Sequence, residues 1–283
     1  LMTASVSFTN KLMGDGKLAL SWEAVHNIGT NPAWRTHIPL LENLDDIISH
    51  PILLNKIGGK TKLSDILKKN SASPYAGCNC GQQWFPNIEE TVEALGQFAN
   101  KFNQAKVNSL VAGLSNSVNS LRRGAVQELK GIRNQISEII DVQVSLPNTS
   151  RIADAQLSDG RWKEIKSTSN ILQKVGTDDF SQLIAYIQNL TDINKLKYSF
   201  DKEILKAPTS AGGLGLLDDV AALKHSKDQM RLVFMNNAQE IFNANPTIFT
   251  KFDEIDDWVD LFELASSNSF VDNPIIKNLV VIQ

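Results

Sequence analysis

The chain has 283 residues, 42% of them hydrophobic and 21% charged, with a formal net charge of −3. That composition excludes a disordered polymer and supplies apolar material for one large core or two smaller ones. Slight net acidity excludes nucleic-acid binding driven by bulk positive charge, and no apolar run approaches the roughly 18 residues of a membrane-spanning helix.

Charge is unevenly spread. Residues 121–206 carry thirteen basic against eleven acidic side chains, and residues 207–283 carry five against eleven. No signal peptide is visible. Leu1 followed by Met2 reads as the start of a segment cut from a longer chain or as a cloning scar.

Residues 1–86 are expected to form a mixed, mainly helical region of unassigned role. Ile38, Leu41, Leu44, Ile47 and Ile48 keep helical spacing, interrupted by Pro32, Pro39 and Pro51. KLSDILKKN predicts a second short helix, and SASPYAGCNCGQQWFPN a turn-rich domain edge. Its Cys78 and Cys80 stand as loop thiols, as an internal disulfide in an exported parent, or as half of a zinc site with a distant histidine such as His26, His37, His50 or His225. Four-ligand zinc spacing is missing.

From Asn87 to about Asp141 apolar residues recur from Val92 to Ile139 at steps of three, four or seven. That period predicts two long helices with a break near Gly113–Ser117. The period then changes. DVQVSLP, RIADAQL and RWKEIKS predict three strands, with Pro147-Asn148 and Ser158-Asp159-Gly160 as turns. TDDFSQLIAYIQNL predicts a helix with Thr177 as N-cap and Asp178 and Asp179 favoured by its dipole. LKYSFDKEI predicts another strand, and residues 218–265 are helical by pattern. GGLGLL at 212–217 reads as a loop. The order is α+β: an α/β core inside a mainly helical chain.

The second and third strands carry chemistry. A three-residue loop at Ser158-Asp159-Gly160, with Gly160 left-handed, pairs Leu157 with Arg161 and sets Asp154 opposite Glu164. Alternation puts Lys166 on the same face, and Ala153, Ala155, Leu157, Lys163 and Ile165 on the other. A two-residue loop would oppose Asp154 to Ile165 instead. Two facing carboxylates at about 5 Å repel by roughly 3 kcal/mol at an effective dielectric of about 20. A divalent cation between them reverses that sign, and Mg²⁺ suits carboxylate oxygens. With a lysine beside it, the set suits metal-assisted phosphodiester hydrolysis. The competing reading is an exposed hairpin with a solvated charged face.

Two helices add to the set. Glu128 lies at the edge of the apolar row Leu121, Leu129, Ile132 and Ile136, as a buried acid or as an acid flanking the stripe. Gln182, Tyr186 and Asn189 form a polar row opposite Phe180, Leu183, Ile184 and Ile187, facing solvent or lining a cleft.

At these residues the sequence resembles the PD-(D/E)xK nuclease superfamily. Asp154 resembles its aspartate, Glu164-Ile165-Lys166 its (D/E)xK, Glu128 in RRGAVQELKGI its helical acid, and Gln182 with Tyr186 its Q-x-x-x-Y row. Ala153 stands where the superfamily often has proline. The resemblance covers about residues 118–206. It implies a restriction-endonuclease-like αβββαβ core with helical additions before and after it, in a nuclease-like domain of residues 87–283 with a helical extension over 207–283.

It further implies that Asp154, Glu164 and Glu128 ligate Mg²⁺, with Mn²⁺ as a substitute. Lys166 then serves the attacking water or the transition state, and Gln182 and Tyr186 orient substrate. The substrate class is nucleic acid, DNA ahead of RNA.

The wider arrangement resembles the C-terminal nuclease module of a bacterial polymorphic toxin or secreted effector. It would be delivered into a target cell as part of a larger protein and matched by a cognate immunity protein. The amphipathic stretch DEIDDWVDLFELA reads as ordinary packing or, less readily, as a docking surface. The alternative function is a non-catalytic helical interaction or structural module. Serine-hydrolase and P-loop signatures are absent, as are those of Cys-His proteases.

Overall fold

Helices form where the apolar period and the caps agree. The computed structural model describes residues 43–44, 46–48, 50–71, 84–252 and 254–283, so Cys78, Cys80, His26 and His37 lie outside the described residues. The chain divides into two compact units after Ile136, whereas the sequence suggests a boundary at 86.

In the first unit the described helices are α1 (Pro51–Ile57), α2 (Gly59–Ser71), α3 (Trp84–Lys101), α4 (Gln104–Leu114) and α5 (Asn119–Arg133). Pro51, expected as a breaker, occupies the first turn of α1, where its missing N–H costs nothing. The expected pair of long helices is three. Asn103 ends one helix and caps the next by accepting from the Lys106 amide at 3.1 Å. Lys56 donates to the carbonyls of Ala99 and Phe102 at 2.9 and 2.8 Å, satisfying the end of α3.

The break at Gly113–Ser117 falls as expected. A side chain at Gly113 would meet the Ala125 methyl at 2.8 Å, which lets α4 and α5 approach closely. Leu95, Phe98, Val107, Leu114, Leu129 and Ile132 are buried, but Leu121, expected in the same row, is exposed.

The second unit is built on one sheet of five strands in the order β1 (Ile139–Ser145), β2 (Ile152–Leu157), β3 (Trp162–Lys166), β4 (Leu196–Phe200) and β5 (Val280–Ile282). Ile139, counted at sequence level in a helical row, opens β1. A period of three or four cannot distinguish a helix end from a buried strand start over so few residues. The pairs β1–β2 and β2–β3 are antiparallel, whereas β3–β4 and β4–β5 are parallel.

The crossover from β3 to β4 carries α6 (Phe180–Asn189), entered through a helical turn at Ile171–Gln173 and a π turn at Lys174–Asp178. Thr177, expected as the N-cap, is therefore inside the π turn with its hydroxyl donating to the Gln173 carbonyl, and Asp179 takes the N-cap position instead.

Beyond β4 come α7 (Lys202–Lys206), α8 (Asp219–Asn236), α9 (Ala238–Ala244), α10 (Trp258–Ser266) and α11 (Pro274–Leu279). α8 packs against β5 and α10. α10 starts on an Asp257/Asp260 capping box. Leu261 is buried while Trp258, Val259 and Phe262 stay partly exposed. β5 was not anticipated. Residues 212–217 are a loop, with Gly212 and Gly215 left-handed. No described helix is long and apolar enough to cross a membrane.

The β2–β3 loop has three residues. The Leu157 amide donates to the Arg161 carbonyl at 2.8 Å, the Gly160 amide to the Leu157 carbonyl at 3.0 Å, and Gly160 has φ +81°. Asp159 fixes the turn by accepting from the Arg161 amide and from its guanidinium at 3.0 and 2.6 Å. Nothing crowds Gly160, so an alanine there meets only the left-handed backbone cost. Gly160→Ala is expected to lower stability by about 1 kcal/mol, and Gly160→Asn by less, in urea unfolding.

Candidate active site

β3 occupies the middle of the sheet, yet reads Trp-Lys-Glu-Ile-Lys. Glu164 is 3% exposed and Lys166 is 9% exposed, so the solvated-hairpin reading does not hold for them. The ladder with β2 pairs Gln156 with Trp162 and Ala155 with Lys163. One step further the same register would set Asp154 against Glu164. The ladder stops instead. Asp154 turns its carboxylate onto the Ile165 amide at 2.6 Å. The ladder ends where its register would oppose the two acids, and a fixed N–H donates to the Asp154 carboxylate.

Glu164 is held by three donors. Lys166 Nζ lies 2.5 Å from its Oε1, and Gln182 Nε2 and Tyr186 Oη lie 2.9 and 2.6 Å from its Oε2. Gln182 and Tyr186 are one turn apart on α6, so both point at the sheet from a single helix face. Buried Leu183 and Ile187 seat that helix. Gln182 also donates to the Ile152 carbonyl at 2.9 Å, tying α6 to β2. The third member of the expected row, Asn189, bonds the Ala185 and Pro147 carbonyls and stays out of the cluster.

Lys166 uses its ammonium fully. Besides Glu164 it donates to Asp179 at 2.9 Å and to Gln182 Oε1 at 3.3 Å. Asp179 is a site residue that sequence reasoning missed. It was read as a helix-dipole acid, but its carboxylate reaches thirteen residues back to Lys166. Glu128 lies half-buried on α5 in the first unit.

Burial pushes the Glu164 carboxyl above its ordinary range, against the pull of Lys166. Burial alone would pull Lys166 down, but Glu164 and Asp179 outweigh it and hold the ammonium above its usual value. Both shifts run the same way: the cluster holds positive charge more firmly than water does. For Glu164 the cause is burial, and for Lys166 it is the two carboxylates, Glu164 and Asp179, that accept from its ammonium. Burial also raises Tyr186 and Tyr198 well above the ordinary phenol.

Among the described residues no three His, Cys, Asp or Glu side chains form a metal cage. A pair of carboxylates with water suits Mg²⁺ and not a closed zinc or calcium site. Glu164, with about four lone-pair positions and three donors, retains acceptor capacity.

On the other face of β3, Lys163 is 4% exposed. Burial lowers its pKa to about 8, partly opposed by Asp154. Between about 8 and the free value of 10.5 the unfolded chain binds more protons than the folded one, so stability rises with pH across that window. The wild type is therefore expected to gain stability from pH 8 to 10. Lys163→Met should lack that rise and exceed the wild type at pH 7 by up to roughly 3 kcal/mol in urea unfolding.

No known protein family, curated protein or solved structure matches this chain.

Proposed function

We propose that the chain is a metal-dependent phosphodiesterase of the PD-(D/E)xK type, a nuclease acting on DNA ahead of RNA. The observation that carries the reading is the buried Glu164–Lys166 contact on β3, in a strand register that runs toward Asp154 on β2. The Asp154 carboxylate accepts from the Ile165 amide, next in sequence to Glu164, and Lys166 donates to Glu164. Gln182 and Tyr186, at the spacing the resemblance calls for, both bind Glu164. The order of helix, three antiparallel strands, helix and a fourth strand parallel to the third supports a restriction-endonuclease-like core.

In this reading Asp154 and Glu164 hold Mg²⁺. The bound ion supplies a water of lowered pKa and counter-charge for the phosphoryl oxygens. Lys166 donates to the attacking water or to a phosphate oxygen, while Asp179 keeps its ammonium in place. Gln182 and Tyr186 fix the orientation of the Glu164 carboxylate. The toxin or effector context, delivery within a larger protein and a cognate immunity protein rest on the resemblance alone. A structural polar network is the competing reading, favoured by the near-complete burial of Glu164.

Incubation with supercoiled plasmid separates the two. Cleavage is expected with Mg²⁺ or Mn²⁺ and is expected to fall at least about 100-fold in Glu164→Ala and in Lys166→Ala. Calorimetric Mn²⁺ binding should vanish in Asp154→Asn. Cleavage indifferent to both substitutions, or a wild type that binds no metal, overturns the assignment.

A further inference from the structure

The network leaves one buried hydroxyl uncommitted. Tyr198 stands beside Glu164 on the neighbouring parallel strand, in the pair Glu164↔Tyr198, so both side chains belong to the face covered by α6. Its ring meets Tyr186 edge-on at 6.2 Å and stacks on Phe200 at 6.2 Å. The residue is 0% exposed, and its hydroxyl finds no hydrogen-bond partner among the described residues. The Tyr186 ring it meets carries the hydroxyl that bonds Glu164, so both phenols pack on the same side of the sheet as that carboxylate.

An unmade bond to a buried hydroxyl costs about 1–3 kcal/mol. Phenylalanine would fill the same ring space without that cost. The other polar groups around Glu164 are committed: three Lys166 hydrogens, the Gln182 amide and the Tyr186 hydroxyl all have acceptors. Mg²⁺ keeps several of its waters, and those waters need acceptors inside the protein. A phenol oxygen is such an acceptor and remains a donor at the same time.

We propose that Tyr198 is a positioning residue of the cation site, its hydroxyl accepting a hydrogen bond from a water carried by the ion that Asp154 and Glu164 hold. The inference rests on the metal-dependent reading above and adds a residue that the PD-(D/E)xK motif does not contain. Tyr198 touches the water and not the scissile phosphate, so its substitution acts through the ion.

Tyr198→Phe supplies the test, with Mn²⁺ as the probe. The metal-free variant is expected to melt at or above the wild-type temperature, because an unsatisfied atom has been removed. Its Mn²⁺ affinity by calorimetry is expected to fall roughly 10- to 100-fold, and plasmid cleavage at limiting Mn²⁺ to recover when the ion is raised. Wild-type Mn²⁺ affinity in Tyr198→Phe overturns the role of Tyr198 and leaves the nuclease reading standing. Metal-free Tyr198→Phe that melts well below the wild type, or fails to fold, also overturns it, since the hydroxyl then has a structural partner. A wild type that binds no Mn²⁺ overturns both.

Discussion

A carboxylate in the middle of a sheet is the constraint that organises this unit. Removing the Glu164 charge from water costs several kcal/mol, and that cost is met only by donors with good geometry. The chain supplies them from two directions. Lys166 comes from the same strand two residues on, and Gln182 with Tyr186 comes down from α6. The position of α6 over the sheet is thus fixed twice, by apolar burial of Leu183 and Ile187 and by polar bonds that lose most of their value if the helix shifts. Asp179, at the start of the same helix, anchors the far side of the ammonium.

A strand buried on both faces ordinarily reads as a continuous apolar run. β3 breaks that rule at three of its five positions, with Lys163 on one face and Glu164 and Lys166 on the other. Departures of this kind concentrate where a fold serves chemistry in addition to its own stability. The two faces differ in sign. One gathers acids around a single ammonium, and the other buries a lysine whose charged form is disfavoured.

Much of this was legible in the sequence, for identifiable reasons. Ser158-Asp159-Gly160 specifies a three-residue loop by local backbone chemistry, and the loop specifies the register. Gln182 and Tyr186 are four apart on an amphipathic helix, so their shared direction follows from helical pitch. The residues that escaped are those whose role is set by distant partners. Asp179 is indistinguishable from a helix-dipole acid until Lys166 is placed beside it. Tyr198 sits in LKYSF as an ordinary strand aromatic, and only the pairing with Glu164 gives its hydroxyl a meaning. The burial of Lys163 was invisible because alternation names a face without saying what covers it. Ile139 and the short run Val280–Ile282 lacked enough residues to express a period.

That last run bears on how the unit is assembled. β5 lies along β4, where Ser199 bonds Gln283 across a sequence separation of 84 residues, and the Gln283 amide closes onto Phe200. β4 therefore acquires its outer neighbour only after six α-helices have been made, and the wall that carries Tyr198 and Phe200 stays single-sided until then. Non-local pairing of this kind slows folding, because the loop entropy is spent before the contacts form. The outer edge of the sheet is thus closed by the last residues of the unit, while the bonds around Glu164 all lie within residues 154–186. A chain interrupted before Val280 retains all the site side chains, but β4 then stands as an open sheet edge one strand away from Glu164.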